Sequence, residues 1–132
     1  MAIRIVRLGT PRARHEGVRI GTVRRPPRGV LKSEYAARDF YDVWLPELAP
    51  SAPLVSFALG EPFTVRRWAS YARRYRNEMR APPAQRLIAL LAVLSRETNL
   101  AVGCYCADES RCHRSLLREL LVAAGAEMHD AP

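Results

Sequence analysis

The segment Leu100–Ala124 constrains the fold more than any other part of the sequence. Leu100–Cys106 is a short, apolar run that favours a buried, central β-strand. Arg111–Ala124 then repeats leucines at helical spacing, with Ser110 suited to cap this helix and Gly125 suited to end it. A buried strand that leads through a short loop into an amphipathic helix is typical of proteins in which helices pack on a β-sheet.

The rest of the chain predicts two more strands and three more helices. Apolar alternation indicates strands at Ala2–Gly9 and Val18–Arg24. Apolar residues at helical spacing and the turn and proline signals predict these further elements: helices at Glu34–Leu48, at Thr64–Arg80 and from Pro82 to Leu94, and a turn at Ala49–Pro53. We therefore predict an α/β fold with a small, partly parallel sheet and helices packed on it. The length of 132 residues fits one domain over the whole chain.

The predicted helix Thr64–Arg80 divides clearly into an apolar side and a charged side. Thr64 is suited to cap it, and Phe63 precedes it at the position that packs on Trp68. Trp68 and Tyr75 belong to the apolar stripe, whereas most of the arginines fall outside it. We therefore expect Trp68 and Tyr75 to be buried and the arginines to face solvent.

The chain is strongly basic, with a net charge of +8, and all but Lys32 of its 21 basic residues are arginine. A partner rich in negative charge, such as a phosphorylated ligand or a nucleic acid, would explain this excess. Arginine enrichment by a GC-rich genome is the simpler explanation. Charge alone therefore does not assign a function.

The three cysteines lie within nine residues, from Cys104 to Cys112, and their number is odd. Such a pattern is not the disulfide framework of a small secreted domain. The first eight residues resemble a strand rather than a signal peptide, and the longest apolar run is far too short to span a membrane. We therefore expect a cytoplasmic protein with reduced thiols and no membrane partner.

The loop Cys104–Arg114 is the predicted functional site. It follows a buried strand and precedes a helix, which is where open α/β sheets bind ligands. Free N–H groups and the helix dipole favour an anion or a thiolate there, and disfavour an imidazolium ion. With Ser110 as the cap, Cys112 and His113 occupy the second and third helical positions, so we expect His113 to be neutral near pH 7.

Four roles are compatible with this loop. In the first, Cys106 or Cys112 is a catalytic thiol assisted by His113. The Cys106-x4-Arg111 spacing is similar to the loop of rhodanese-type sulfurtransferases, although this loop contains no glycine and includes two acidic residues. In the second, the loop binds zinc through Cys104, Cys106, Cys112 and His113. We expect no bound metal, because Cys-x-Cys is tight for one ion and two consecutive helical residues diverge by about 100°.

The third role is recognition without catalysis, and the fourth is purely structural. An anion would be bound by polar groups at the helix start: Ser110, Arg111, His113 and Arg114. Alternatively, Cys112 and His113 extend the buried stripe of the last helix as inert core residues. Arg24, Arg25 and Arg28 follow the second strand, and they would line the same pocket if the two strands are neighbours, or else belong to a solvated loop.

Three stretches of the chain resemble the family of unknown function numbered 488, including its YeaO-like branch. They are Val18–Ile20 followed by Pro27–Gly29, Trp44–Ser51, and Cys106–Asp108 followed by Cys112–Leu116. The resemblance extends over most of the chain and in the same order. It implies a compact α/β domain, makes the Cys, His and Arg residues of the loop family features, and implies no particular reaction.

These observations lead to two function hypotheses. The first is an anion- or phosphate-recognising domain whose Cys/His/Arg loop supports thiol-dependent chemistry. The alternative is a nucleic-acid-binding accessory protein that uses the arginines of Thr64–Arg80. The chain has neither a glycine-rich phosphate loop nor a dinucleotide-binding fingerprint, and we expect no cofactor.

Overall fold

The computed structural model describes residues 1–60 and 63–129 and has an α/β fold. The strands are β1 (Ile3–Arg7), β2 (Val18–Gly21), β3 (Val43–Trp44) and β4 (Leu100–Cys104). The helices are α1 (Ala52–Leu59), α2 (Val65–Glu78), α3 (Pro82–Leu94) and α4 (His113–Ala123), and short 3-10 turns occupy Lys32–Glu34, Pro46–Leu48 and Glu109–Arg111. Within these described segments, no helix has the length and apolar character needed to cross a membrane.

The four strands form one sheet in the order β1–β4–β2–β3, and each of the three pairings is parallel. Val102 of β4 lies opposite Ile5 of β1 on one side and Ile20 of β2 on the other. The predicted fold class is confirmed, and β4 is a central strand as expected. Because parallel strands end at one edge, the residues that follow β2 and β4 lie side by side.

The two faces of the sheet are covered differently. One face packs against the helices, where Val102 shares a core with Tyr75 of α2 and Leu117 of α4. The other face is covered by loop side chains rather than by helices. There a Cβ at Gly103 would come within 2.7 Å of a Leu8 methyl carbon, and a Cβ at Gly21 within 2.4 Å of the Tyr41 ring. Glycine is therefore required where these loops cross the sheet.

A buried ion pair holds the loop-covered face to β2. Arg19 is fully buried, and its Nε and Nη2 donate hydrogen bonds of 2.8 and 2.9 Å to the Glu16 carboxylate. Its Nη1 donates to the carbonyl oxygens of Thr10 and Asp39. The sequence patterns did not reveal this pair, because an arginine within a strand ordinarily indicates a solvent-facing position.

The helix predicted over Thr64–Arg80 is confirmed with small differences at its ends. The Thr64 hydroxyl accepts a 3.0 Å hydrogen bond from the Arg67 backbone N–H, as an N-cap does. Tyr75 is fully buried, and Trp68 is half-buried with its ring centroid 6.4 Å from that of Phe63. Four of the arginines on this helix are exposed, namely Arg66, Arg73, Arg74 and Arg76.

The helix predicted over Glu34–Leu48 is wrong. This segment contains turns and the edge strand β3, which follows Asp39 in the left-handed conformation with φ 61°. The Asp42 N–H donates to the Arg19 carbonyl, so the backbone is engaged with β2 rather than with itself. Pro46 lacks the N–H that a helix interior needs. Tertiary pairing and proline together outweigh the apolar spacing that suggested a helix.

A helix was also missed in the segment that follows. The turn predicted at Ala49–Pro53 gives way to α1, whose N-cap Ser51 accepts a hydrogen bond from the Leu54 N–H. Pro53 is tolerated because the first turn of a helix needs no N–H donor at that position. The predicted strands are shortened too, and β2 and β4 end at Gly21 and Cys104.

Candidate functional site

The loop between β4 and α4 bridges a strand end and a helix start, as predicted, but the helix begins later than expected. Asp108, not Ser110, accepts the backbone hydrogen bond that starts the 3-10 turn, and the Ser110 hydroxyl donates to the same carboxylate at 2.6 Å. Cys112 is the N-cap of α4 and His113 its first residue. The prediction that Ser110 caps a helix starting at Arg111 is therefore wrong.

The loop brings all three cysteines of the chain together. Cys104 and Cys112 are buried, with their sulfurs 2.9 Å apart, whereas Cys106 is exposed. The three sulfurs lie within 4.8 Å of one another. The Cys106 backbone N–H also donates to the Cys104 sulfur at 3.3 Å. One accessible thiol therefore lies above two inaccessible ones.

The three thiols have unequal acidity. The pKa of Cys106 is well below its usual range, because hydrogen bonds from the Cys104 and Cys112 thiols stabilise its thiolate and the Arg114 charge is nearby. The pKa of Cys104 is raised, because its proton is held in a hydrogen bond to Cys106 and its side chain is buried. For Cys112 the contact with Cys104 lowers the pKa, but Cys106 and burial raise it by more. The negative charge of the cluster therefore rests on the exposed sulfur.

His113 is buried and held in one tautomer. Its Nε2 lies 2.7 Å from the Thr22 carbonyl oxygen, so Nε2 must carry the proton and donate it. Its Nδ1 is then a free acceptor, 3.5 Å from the Cys112 sulfur. Burial lowers the pKa of His113 to about 4. The ring is therefore neutral near pH 7, as expected, although burial is the main cause and not the helix dipole.

A cleft of about 380 Å³ opens over the Cys106 side of the cluster. Its lining includes the three cysteines, apolar residues of α1 such as Val55 and Leu59, and four arginines: Arg24, Arg25, Arg28 and Arg111. Arg24 and Arg28 lie beside the loop in this lining because β2 and β4 are neighbours. The apolar wall was missed, because α1 itself was missed.

The four arginines are not equally available to a ligand. The Arg24 guanidinium is already hydrogen-bonded within the protein, since it donates to the carbonyl oxygens of Pro46, Ala49 and Pro50. Arg111 lies over the Phe63 ring, 4.2 Å from its centroid, and near the Asp108 carboxylate. The side chains of Arg25 and Arg28 are exposed and make no hydrogen bond or ion pair with any residue that the structure describes. They are the arginines freest to bind an anion.

Two residues predicted to bind a ligand do not line the cleft. Arg114 is buried and donates 2.6 Å hydrogen bonds to the carbonyl oxygens of Val6 and Cys106. It thereby fixes the backbone on which the exposed thiol is carried. Ser110 is bonded to Asp108 and is likewise absent from the cleft lining.

The model of one protein family, described as the active DUF488-N3 subclade and named DUF488-N3a, matches residues 3–125 of the chain. The chain belongs to the DUF488-N3a family. The match covers every residue that lines the cleft and agrees with the family resemblance noted in the sequence. No curated protein and no solved structure shows significant similarity to the chain.

The cysteine cluster of this DUF488-N3a protein is compact enough to hold a metal ion. Among residues 1–60 and 63–129, it is the one group of three or more Cys, His, Asp or Glu side chains with that property. The prediction that the Cys-x-Cys spacing is too tight for two cysteines to bind one metal ion is therefore wrong. His113 does not join the group, because neither of its ring nitrogens lies within 4.8 Å of all three sulfurs. A four-ligand structural zinc site is thus incomplete within the described residues, and we still expect no stoichiometric zinc after metal-free purification.

The buried His113 of the DUF488-N3a protein predicts a loss of stability in mild acid. The pKa of His113 is lowered in the folded state. Between that pKa and the unfolded value, the imidazole is therefore protonated in the unfolded chain and neutral in the folded protein. Stability is full above the unfolded pKa near 6.5 and falls as the pH drops toward about 4. We expect the free energy of unfolding to fall by about 1 kcal/mol from this group between pH 7.0 and pH 5.5.

Urea unfolding at the two pH values measures this effect. His113→Gln is the matched variant, because glutamine can still donate to the Thr22 carbonyl but does not titrate. We expect the pH-dependent difference to shrink by about 1 kcal/mol in the variant, and the part that remains comes chiefly from Cys106, whose lowered pKa acts in the same direction. An equal pH dependence in both proteins would contradict the assignment to His113.

Proposed function

We propose that the chain is an anion-recognising domain with a reactive thiol, in which Cys106 acts on a small anionic or phosphorylated ligand bound by Arg25, Arg28 and Arg111. The single observation that carries the proposal is the shared cleft. An exposed thiol of lowered pKa lines the same concave surface as Arg25 and Arg28, whose side chains have no partner among the described residues. Such a combination of a perturbed thiol and convergent charges is the usual mark of a functional site.

The charge around the cleft favours an anion over a neutral or cationic ligand. Its described lining contains four arginines and no carboxylate. Guanidinium groups bind phosphate or carboxylate through paired, charge-assisted hydrogen bonds. The positive charge would also stabilise the Cys106 thiolate and draw an anionic reactant towards it. Binding and reactivity therefore reinforce each other at the same place.

The size and walls of the cleft favour a small molecule. A volume of about 380 Å³ is within the range of small-ligand sites. The α1 side presents Val55 and Leu59, so the ligand would combine an anionic group with an apolar part. We further propose that the protein works in the cytoplasm, where its thiols stay reduced.

Protection of Cys106 from alkylation tests the proposal. We expect inorganic phosphate or pyrophosphate to slow the reaction of iodoacetamide with Cys106 by about fivefold or more, since charged hydrogen bonds hold an anion over the thiol. Peptide mapping by mass spectrometry measures the rate at this residue alone. In Arg25→Gln/Arg28→Gln the protection should vanish.

The matched control is Arg66→Gln/Arg73→Gln, which removes the same charge from the exposed face of α2. Protection should persist in that variant. If phosphate does not protect Cys106 of the wild-type protein, specific recognition in the cleft is refuted. It is also refuted if the cleft variant and the α2 variant lose protection equally.

Nucleic-acid binding is the second candidate, and the exposed arginines of α2 favour it. Arg66, Arg73 and Arg76 face solvent on one helix, which suits contact with a phosphate backbone. The two candidates differ in which variant should weaken binding: the cleft variant Arg25→Gln/Arg28→Gln for a small anion, and the α2 variant Arg66→Gln/Arg73→Gln for a nucleic acid. Binding to single-stranded or duplex oligonucleotides should weaken steeply with salt and depend on Arg66 and Arg73 if this second function is correct.

A further inference from the structure

We infer that the three cysteines form a redox centre in which Cys106 reduces a hydroperoxide and the oxidation is stored as a buried Cys104–Cys112 disulfide. This inference rests on the proposed function, because it requires Cys106 to be the reactive thiol of the cleft. It goes further by assigning a reaction class to the site and a separate role to each cysteine.

The arrangement of the sulfurs carries the inference. The thiol exposed to the cleft belongs to Cys106, so an oxidant would meet it first. Cys104 and Cys112 lie behind it with their sulfurs 2.9 Å apart, and all three sulfurs lie within 4.8 Å of one another. Small movements therefore suffice to bring any two of them to bonding distance, about 2.05 Å. A structural cysteine needs no such neighbours.

In the first step, the Cys106 thiolate attacks the outer oxygen of a hydroperoxide. An S–O bond forms, the O–O bond breaks, and the alkoxide leaves and takes a proton from water. Cys106 becomes a sulfenic acid, oxidised by two electrons, while the peroxide is reduced by two. The arginines and the apolar α1 wall favour an organic hydroperoxide that carries a carboxylate or phosphate group.

In the second step, the Cys112 sulfur attacks the Cys106 sulfenic acid. An S–S bond forms, and the hydroxide departs as water with the proton of Cys112. His113 keeps its proton on Nε2 throughout, and its Nδ1 can accept a hydrogen bond from the Cys112 thiol and orient it. The step consumes no electrons from outside the protein.

In the third step, Cys104 attacks Cys112 and displaces Cys106. The Cys104 proton passes to solvent, the Cys104–Cys112 bond forms, and Cys106 leaves as a thiolate by ordinary thiol–disulfide exchange. Exchange runs in this direction because the more acidic thiol is the better leaving group. Cys106 is thereby released, and the disulfide lies out of solvent until a dithiol reductant opens it.

One equivalent of hydrogen peroxide added to the reduced, full-length protein tests the sequence of steps. Free thiols are then blocked with iodoacetamide in urea, so that buried thiols react too, and the disulfide is reduced and labelled with N-ethylmaleimide. Chymotrypsin cleaves after Tyr105, which separates Cys104 from Cys106 for mass spectrometry. We expect N-ethylmaleimide on Cys104 and Cys112, and the iodoacetamide adduct on Cys106.

Two variants make the roles separable. Cys106→Ser should slow formation of the buried disulfide by about tenfold or more, because the accessible attacking thiol is gone. Cys104→Ser should stop at a Cys106–Cys112 disulfide. If the Cys104–Cys112 disulfide forms equally fast in Cys106→Ser, the order of reaction is refuted.

Failure of this inference differs from failure of the proposed function. If peroxide produces no disulfide while phosphate still protects Cys106 from alkylation, redox chemistry is excluded and anion recognition stands. If Cys106 of the folded protein does not react with iodoacetamide at all, both are refuted.

Discussion

Replacing Glu16 with alanine is expected to lower the free energy of unfolding by about 3–5 kcal/mol, because it leaves the Arg19 charge buried without its partner. The Glu16 and Arg19 side chains are 2% and 1% exposed. Two hydrogen bonds join the guanidinium to the carboxylate, so one substitution removes both. A loss of that size is a large fraction of the stability of an ordinary domain.

Chemical denaturation of both proteins at pH 7 measures the difference. Arg76→Ala is the control, since its ion pair with Glu119 is 50% and 63% exposed and should contribute less than about 1 kcal/mol. Similar unfolding midpoints for Glu16→Ala and Arg76→Ala would show that the buried pair does not hold the loop-covered face to β2.

The alkylation rate of Cys106 is expected to change by less than about threefold between pH 8 and pH 6, because its lowered pKa keeps the thiolate populated. An unstructured thiol loses roughly 80-fold over the same interval, since its pKa is about 8.5. The rate is measured at each pH by mapping the iodoacetamide adduct on Cys106.

The urea-unfolded protein supplies the reference thiol, because the same cysteine is then free of its neighbours. Cys104→Ser/Cys112→Ser should move the profile of the folded protein towards that reference, because the thiols that stabilise the Cys106 thiolate are removed. A folded wild-type profile that falls as steeply as the unfolded one would contradict the charge assignment within the cluster.

The position of the candidate loop in the fold could be predicted from sequence because its signals are local. The apolar run ending at Cys104 and the leucine spacing after Cys112 define a strand, a loop and a helix without reference to the rest of the chain. Parallel pairing of β2 with β4 then follows from the α/β order, and it brings Arg24 and Arg28 to the same edge.

Features that depend on tertiary contacts could not be predicted. The segment Glu34–Leu48 has helical apolar spacing, yet its backbone pairs with β2 through hydrogen bonds that no local pattern encodes. The helix α1 was obscured because Pro53 suggests a turn as readily as a first helical turn. The cleft wall that α1 provides was missed for the same reason.

The roles of individual arginines also depend on the folded structure. Arg24 and Arg114 resembled ligand-binding residues in sequence, but both donate to backbone carbonyl oxygens. Arg25 stood beside Arg24 and Arg28 in the sequence prediction, and only the structure distinguishes it as exposed at the cleft. A guanidinium group suits either task, and only the carbonyl groups that surround it decide which one it performs.

The charge preference of Cys106 alkylation tests the central claim most directly. Iodoacetate is anionic and iodoacetamide is neutral. The rate with iodoacetate divided by the rate with iodoacetamide therefore reports the electrostatic potential at the thiol. We expect this ratio to fall by about fivefold or more in Arg25→Gln/Arg28→Gln and to stay unchanged in Arg66→Gln/Arg73→Gln. An equal ratio in all three proteins would contradict the account, because the cleft arginines would then not act on a reactant at Cys106.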